Sequence, residues 1–350
     1  MIKKQYDGIQ ALRFVAAITI VIYHLSLHYL GRKGTIDVSV MKYFGYLGVD
    51  VFFVISGFVI WHSTSEKTEP FAFIKRRAWR IYSAYLPVAL LMAIVIAGSM
   101  RPSAFEGMSI WKTALLWPAA ASERALDVSW SLTYEMIFYI AMSISLLFGK
   151  RNHLIPVMVV LGASGFILSS FGIKIESLMG RYLTSPFLLE FATGCLVSIA
   201  ATKFKTDKAF PFLIVGVALL AAGSFYCISN NYVPGNVTGE MARFVLFGLP
   251  AAVLVYGCSQ VEVHSSLALT LRKLGDASYA IYLLHMPILI IIWHALPVVF
   301  DIRYFFKNLE IGAAVILVLT IALSLAYYKY VEQALLKVKF QARTPVQAHS

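Results

Sequence analysis

Charge is scarce in this sequence. Only 14% of its 350 residues are charged, 59% are hydrophobic, and the mean hydropathy is +0.74. Water-soluble globular domains have about 25% charged and about 45–50% apolar residues. So little charge excludes an ordinary soluble domain, and it indicates an integral membrane protein.

Negative charge is the scarcer of the two signs, since 18 Asp and Glu stand against 30 Lys and Arg, a net charge of +12. No basic block with interleaved aromatic residues occurs outside the apolar runs. We therefore expect no nucleic-acid partner, and we attribute the positive excess to membrane topology and contact with membrane lipid.

Cysteine is also rare. The three cysteines lie within apolar runs and lack the spacing of a metal site; they are Cys195, Cys227 and Cys258. They are interpreted as small buried side chains. His24 and His28 are spaced so that both could bind a metal, but the Glu-flanked zinc motif is missing. The sequence therefore predicts no metal site, with His28 at the membrane interface.

A cleavable signal peptide is lacking as well. Lys3 and Lys4 precede an apolar run over 11–30 that is long enough to span a bilayer and has no small-residue cleavage site. Nine more runs follow, which predicts an all-α polytopic membrane protein with about ten transmembrane helices. The predicted spans are 11–30, 44–62, 81–99, 130–148, 154–171, 183–201, 210–228, 242–258, 277–299 and 308–330.

The basic residues are distributed unevenly between the two sides of this layout. With a cytoplasmic N-terminus, inside segments contain eighteen Lys or Arg and outside segments eleven. The positive-inside rule then places both termini in the cytoplasm. No short-period repeat interrupts the chain, so we predict one membrane domain over 1–340 and a short cytoplasmic tail over 341–350.

Ionisable residues inside the spans are candidates for function, because burying them in a membrane costs free energy. Arg13 and His24 lie on one face of the first helix, since eleven residues come to within about 20° of whole turns. Asp50 and Glu135 are expected at the level of His24, where a carboxylate would orient the imidazole. The alternative is that these carboxylates only tie helices together, which is also how Glu190 is interpreted.

Four cations stand just before the third predicted span, at Lys75, Arg76, Arg77 and Arg80. Arg77 and Arg80 are three residues apart, on one helix face. Guanidinium groups suit phosphates, which favours a site for a ligand such as coenzyme A. Composition alone favours the alternative, a lipid-headgroup and topology anchor.

Five stretches in order resemble the acyltransferase-3 family of membrane acyltransferases. The first has Leu12-Arg13 and His24, with the family's gap of ten residues between arginine and histidine. The others are Gly48–Phe58, Arg77–Ile81, Trp130–Tyr139 and Gly275–His285. The resemblance covers nearly the whole chain, and the variant Tyr134-Glu135-Met136 is most similar to the exopolysaccharide branch.

The resemblance implies a multi-pass protein of the inner (cytoplasmic) membrane that transfers an acyl group, most commonly acetyl from acetyl-CoA. The implied acceptor is a sugar or lipid-linked glycan of an O-antigen or exopolysaccharide. Joined to helix geometry, it predicts catalytic roles for His24, Asp50 and Glu135, with His24 either removing the acceptor's proton or relaying the acyl group. Predicted CoA-binding residues are Arg13, Arg76, Arg77 and Arg80. Predicted substrate-binding residues are Trp130, Ser131, Tyr134, Tyr282 and His285, with a helix-bridging hydrogen bond as the alternative for His285.

The chain departs from the family pattern at two positions. Ser83 and Ala334 stand where the family often has proline, which bears on local backbone geometry more than on activity. Many relatives also carry an esterase-like domain after the last helix, and we expect none here.

Two other functions fit a polytopic protein with buried charges. One is a proton-coupled transporter, although the sequence shows neither an inverted repeat nor Gly/Pro-broken helices in matching halves. The other is a non-catalytic component of a polysaccharide-export complex, which would tolerate loss of His24.

Overall fold

The computed structural model of the chain describes residues 6–28, 39–98, 107–235, 240–261, 266–292 and 309–341. These ranges contain helices and connecting turns and no β-strand, which confirms the all-α prediction. Residues 342–350 of the predicted tail and residues 293–299 of the ninth predicted span lie outside the described residues.

Fourteen helices follow one another along the described residues. In order they are α1 (Asp7–His28), α2 (Leu47–Ser63), α3 (Pro70–Ala97), α4 (Ile110–Leu115), α5 (Trp130–Leu147), α6 (Leu154–Ser170), α7 (Leu178–Leu183), α8 (Phe187–Lys203), α9 (Ala209–Ser229), α10 (Met241–Gln260), α11 (Ser266–Asp276), α12 (Ser278–Ile290), α13 (Leu309–Tyr327) and α14 (Gln333–Gln341). A π-helical turn, Phe244–Gly248, lies within α10, and another, Tyr328–Glu332, joins α13 to α14.

The described helices include nine that are long and apolar enough to cross a membrane. Helix α12 is apolar too, but its described part, Ser278–Ile290, is shorter than a full span. The prediction of a polytopic membrane protein is therefore confirmed.

Helix α3 begins at Pro70, not at residue 81 as predicted. Glu69 caps it, because its side chain accepts hydrogen bonds from two backbone N–H groups of the first turn, and proline is well suited to the first helical position. The first turns of α3 contain several Lys and Arg residues, which lower the mean hydropathy of this segment. The apolar run therefore begins later in the sequence than the helix does. Arg77 and Arg80 consequently lie inside the helix, about 10 Å and 15 Å from its first residue.

Helix α2 runs through the centre of the bundle and packs closely on α8. A Cβ atom at Gly57 would lie 2.1 Å from the backbone carbonyl oxygen of Phe191, and one at Gly194 would lie 2.1 Å from that of Val54. Only glycine permits such an approach of two helix backbones. This contact fixes α2, so that one face borders α1, α3 and α5 and another borders α10.

The connector before α5 reaches deep into the bundle. The hydroxyl groups of Tyr82 and Tyr85 donate to backbone carbonyls of the connector, at 3.0 Å and 2.9 Å. These tyrosines lie about 20 Å along α3 from its N-terminal end, whereas α3 continues to Ala97. Helix α5 therefore begins well short of the C-terminal end of α3.

Candidate active site

A cavity of about 150 Å³ lies between α1, α2, α3, α5 and α12. Its charged lining consists of Arg13 from α1, Arg77 and Arg80 from α3, and Glu135 from α5. We call it the arginine cavity. Apolar and hydroxyl-bearing side chains complete the lining: Val49, Phe52, Phe53, Ile55, Ser56, Val59, Ile60, Ile81, Ser131, Leu132, Tyr139, Tyr279 and Tyr282.

The register of α3 against α5 brings opposite charges to one depth. Ser143 donates a hydrogen bond of 3.1 Å to the backbone carbonyl of Pro70, which joins the C-terminal part of α5 to the N-terminal end of α3. From this point Glu135 is eight residues away along α5 and Arg77 seven residues along α3, so both lie about 10–12 Å into the bundle. Arg77 also donates to the hydroxyl of Ser63, at 2.7 Å, which holds the guanidinium beside α2.

Positive charge exceeds negative charge in the lining of the arginine cavity, where three guanidinium groups stand against one carboxylate, Glu135. Glu135 accepts a hydrogen bond from a tyrosine hydroxyl, and Arg80 forms a 2.5 Å ion pair with Glu332, which is buried behind the lining. Arg13 donates within its own helix to a glutamine side chain, at 3.1 Å, and Asp276 also lies within electrostatic reach of it. A cavity lined with this surplus attracts an anion, phosphate in particular.

A row of aromatic side chains leads from the cavity to His24. Tyr279, Tyr282 and His285 recur every three residues on α12, so they share a face. The hydroxyl of Tyr282 lies 2.6 Å from that of Ser131. The ring of His285 is 5.7 Å from the ring of Tyr282 and 5.1 Å from that of His24. His24 is eleven residues beyond Arg13, about 16 Å farther from the N-terminal end of α1.

Asp50 belongs to a different cluster. Its two carboxylate oxygens accept hydrogen bonds of 2.8 Å from Nε and Nη2 of Arg243, and the side chains are 0% and 1% exposed. Glu190 is buried beside this pair, and the rings of Tyr46 and Phe187 lie against the guanidinium. We call Asp50, Arg243 and Glu190 the acid–arginine cluster.

The predicted common level of His24, Asp50 and Glu135 is wrong. Gly48, two residues before Asp50, packs on the backbone carbonyl of Ala16, which is eight residues, or about 12 Å, from His24 along α1. Glu135 shares the arginine cavity with Arg13, because α5 begins well short of the C-terminal end of α3. The orientation of His24 by Asp50 therefore has no support in the contacts of Asp50, which are to Arg243.

The other predicted residues divide into two groups. Ser131, Tyr282 and His285 lie in the cavity or on the path to His24, together with three of the four predicted arginines. The fourth, Arg76, is exposed. Trp130 and Tyr134 belong to an aromatic cluster around Phe53, with ring centroids 6.2 Å and 5.8 Å from it. Phe53 lines the cavity, whereas Trp130 and Tyr134 support its wall from behind.

Several residues at these sites were missed by the analysis of the sequence. Tyr279 follows from the three-residue spacing of Tyr282 and His285, which the sequence displays. Arg243 lies at the start of the predicted span 242–258, and Glu332 lies just beyond the last predicted span, 308–330. Their partners lie on distant helices, so no local pattern identifies them.

A family profile described as an acyltransferase domain matches residues 6–329 of the chain. The exopolysaccharide production protein ExoZ of Rhizobium meliloti is 33% identical over 251 residues, which cover 69% of this chain and 75% of ExoZ. The acyltransferase MdmB of Streptomyces mycarofaciens is 25% identical, over 81% of this chain and 78% of MdmB.

A third relative is longer than this chain. The O-acetyltransferase OatA of Staphylococcus aureus is 23% identical over 96% of this chain, but the alignment covers only 58% of OatA. No solved structure matches the chain at a significant level.

Proposed function

The chain belongs to the acyltransferase-3 family of membrane acyltransferases, and on this basis we propose that it transfers an acetyl group from cytoplasmic acetyl-CoA to a hydroxyl of an envelope or exported polysaccharide. The observation that carries the proposal is the arginine cavity, joined by an aromatic path to His24. The names of ExoZ and OatA, an exopolysaccharide production protein and an O-acetyltransferase, support the choice of acceptor and acyl group.

The donor binds from the cytoplasmic side in this proposal. Arg13, Arg77 and Arg80 come from two helices and converge on one cavity, where their N–H groups hold the phosphates of CoA. Glu135 lies among them and balances part of their charge while the cavity is empty. Its predicted catalytic role stays a prediction, and its position favours a contribution to donor binding.

The pantetheine arm then extends along the aromatic path toward His24. Phe52 and Tyr282, whose ring centroids are 6.2 Å apart, line the cavity where this route begins. The hydroxyl groups of Ser131 and Tyr282 lie 2.6 Å apart and both contact the backbone carbonyl of Val128, so they are held in place beside the route. His285 contacts the ring of His24 and keeps it over the end of the route.

His24 acts as the general base. It takes the proton from the sugar hydroxyl while the hydroxyl oxygen attacks the thioester carbonyl carbon; the carbon–sulfur bond then breaks, and the leaving thiolate takes the proton. Binding both reactants beside one imidazole supplies the orientation that the uncatalysed reaction lacks. The acceptor, a sugar or lipid-linked glycan, approaches from the side of the membrane opposite the arginine cavity.

This direction requires the arginine cavity to face the cytoplasm. We propose the inner membrane as the location, a cytoplasmic position for both termini, and one acyltransferase domain over 1–340, as the positive-inside rule predicts. Cysteine accessibility measured in intact cells tests the orientation. A cysteine in place of Lys203, at the end of α8, should be protected from an impermeant reagent, whereas one in place of Lys174, in the connector after α6, should react.

Two measurements test the function. Mass spectrometry of the cell's glycans, with and without the protein, should show acetylated sugar only when the protein is present. Acetyl-CoA should also raise the thermal stability of the purified protein in detergent, because a ligand that binds only the folded state stabilises it. Unchanged glycans together with no effect of acetyl-CoA would reject the proposal.

A further inference from the structure

Glu332 is a buried carboxylate at the end of the last described transmembrane segment. Its side chain is 0% exposed, and it ends the π-helical turn Tyr328–Glu332. A π-helical turn inserts an extra residue and so changes the direction of the side chains around it, and such turns are frequent at functional sites. A carboxylate buried at membrane depth needs a cationic partner.

The partner of Glu332 is Arg80. Oε1 of Glu332 lies 2.5 Å from Nη1 of Arg80, whose side chain is 34% exposed and lines the arginine cavity. The ring of Tyr279 lies 6.0 Å from the same guanidinium. Glu332 itself lies behind Arg80 and outside the cavity lining. One nitrogen of the guanidinium is therefore in ion-pair contact with the carboxylate, while the group as a whole still lines the cavity.

The segment that carries Glu332 is attached to α3 at a second point. The hydroxyl of Tyr327 donates a hydrogen bond of 2.7 Å to the backbone carbonyl of Ala84. Ala84 and Arg80 are four residues apart, so they lie on one face of α3. Two contacts from consecutive turns thus set the depth and rotation of Glu332 relative to Arg80.

We propose that Glu332 is a positioning residue, which holds Arg80 so that its remaining N–H groups point at a phosphate of the acyl donor. This rests on the function proposed above. A free arginine side chain samples many rotamers, and fixing it before the ligand arrives removes that entropic cost from binding. The carboxylate holds one edge of the planar guanidinium, and the phosphate takes another.

The test is the variant Glu332→Gln, which keeps the size of the side chain and removes its charge. We expect the apparent KM for acetyl-CoA to rise about tenfold, the lower end of the effect of one charge-assisted hydrogen bond. The kcat and the KM for the acceptor should stay unchanged, because Glu332 is behind the donor site. In the background of Arg80→Gln, adding Glu332→Gln should change donor KM less than twofold, since residues that act as a unit are not additive.

Tyr327→Phe is the matched control. It removes the other contact between this segment and α3 without touching Arg80, so donor KM should not change even if thermal stability falls. Equal losses of donor binding in Tyr327→Phe and Glu332→Gln would show that the segment acts only by holding the helices together. Normal donor use by Glu332→Gln would overturn the positioning role alone, whereas a wild-type protein that does not bind acetyl-CoA would overturn the proposed function as well.

Discussion

The protein buries charge in two places, and the two differ in how much room they leave for a ligand. In the acid–arginine cluster both oxygens of Asp50 are bonded to Arg243, neither of these side chains is more than 1% exposed, and Glu190 is buried beside them. The lining of the arginine cavity contains three guanidinium groups and one carboxylate, Arg80 is 34% exposed, and space remains between the side chains. Both clusters cost desolvation energy, but the second surrounds a cavity that can hold a ligand.

This difference distinguishes charged side chains that stabilise the fold from charged side chains that are available to bind a substrate. The Asp50–Arg243 pair holds α2 against α10, so its loss should lower the stability of the protein. The guanidinium groups that line the arginine cavity face open space, so their loss should chiefly weaken donor binding. His24 lies between the two regions, in ring contact with His285 on one side and with Tyr23 on the other.

The largest effect is expected at His24. A sugar hydroxyl is a weak nucleophile at neutral pH, and a positioned base contributes about 10²–10⁴-fold to such a step. His24→Asn should therefore insert normally and lose acetylation of the glycan by about this factor, as measured by mass spectrometry. His153→Asn, at an exposed histidine, is the control and should leave acetylation intact. Wild-type acetylation by a well-expressed His24→Asn protein would contradict the role of His24 as base.

The next effect concerns the acid–arginine cluster. Arg243→Met leaves the carboxylate of Asp50 buried without its cation, and breaking one partner of a buried pair typically costs about 3–5 kcal/mol. We expect a lower yield of folded protein and a lower melting temperature in detergent, while the surviving protein binds acetyl-CoA normally. The double variant Asp50→Leu/Arg243→Met should recover part of the stability. A stable Arg243→Met protein that has lost donor binding would place this cluster in the donor site.

The smallest effect is expected from single arginines of the cavity. Each Arg–phosphate contact contributes about 1.5–3 kcal/mol, so Arg77→Ala and Arg80→Ala should each weaken binding of acetyl-CoA roughly tenfold to a hundredfold. The KM for the acceptor should change little in either variant. The melting temperature should stay unchanged in Arg77→Ala but should fall in Arg80→Ala, which leaves the carboxylate of Glu332 buried without its cation. Arg76→Ala distinguishes a specific donor site from a general cationic anchor, because Arg76 is exposed and its loss should change acetyl-CoA binding less than twofold. Equal losses of acetyl-CoA binding in all three variants would indicate that the cationic stretch attracts the donor only by its overall charge.

The site was partly predictable because some of its contacts lie within single helices. Arg13 and His24 share a face of α1, Arg77 and Arg80 share a face of α3, and helix periodicity is enough to show it. The start of α3 was also present in the sequence, in the capping residue Glu69 and the proline after it. Hydropathy alone does not show this start, because the apolar run begins about ten residues after the capping residue.

The depth of one helix relative to another was not predictable in this way. Glu135 was placed near His24 because α5 was assumed to enter at the outer surface, whereas the connector carries its start far into the bundle. Asp50 was placed beside His24 for a similar reason, although its side chain leaves α2 on the face toward α10. Both errors concern translation and rotation between helices, about which a hydropathy pattern has no information.

By itself the sequence determined that this chain crosses a membrane many times, that it resembles a family of acyltransferases, and which ionisable residues the membrane must accommodate. Those conclusions depend on composition, on apolar run length and on spacing within one helix, all of which are local. Only the tertiary structure decided which charges meet, pairing Asp50 with Arg243 and Arg80 with Glu332. These pairs join segments between about 190 and 250 residues apart, and their formation depends on the crossing and register of whole helices, which packing of the complete bundle sets.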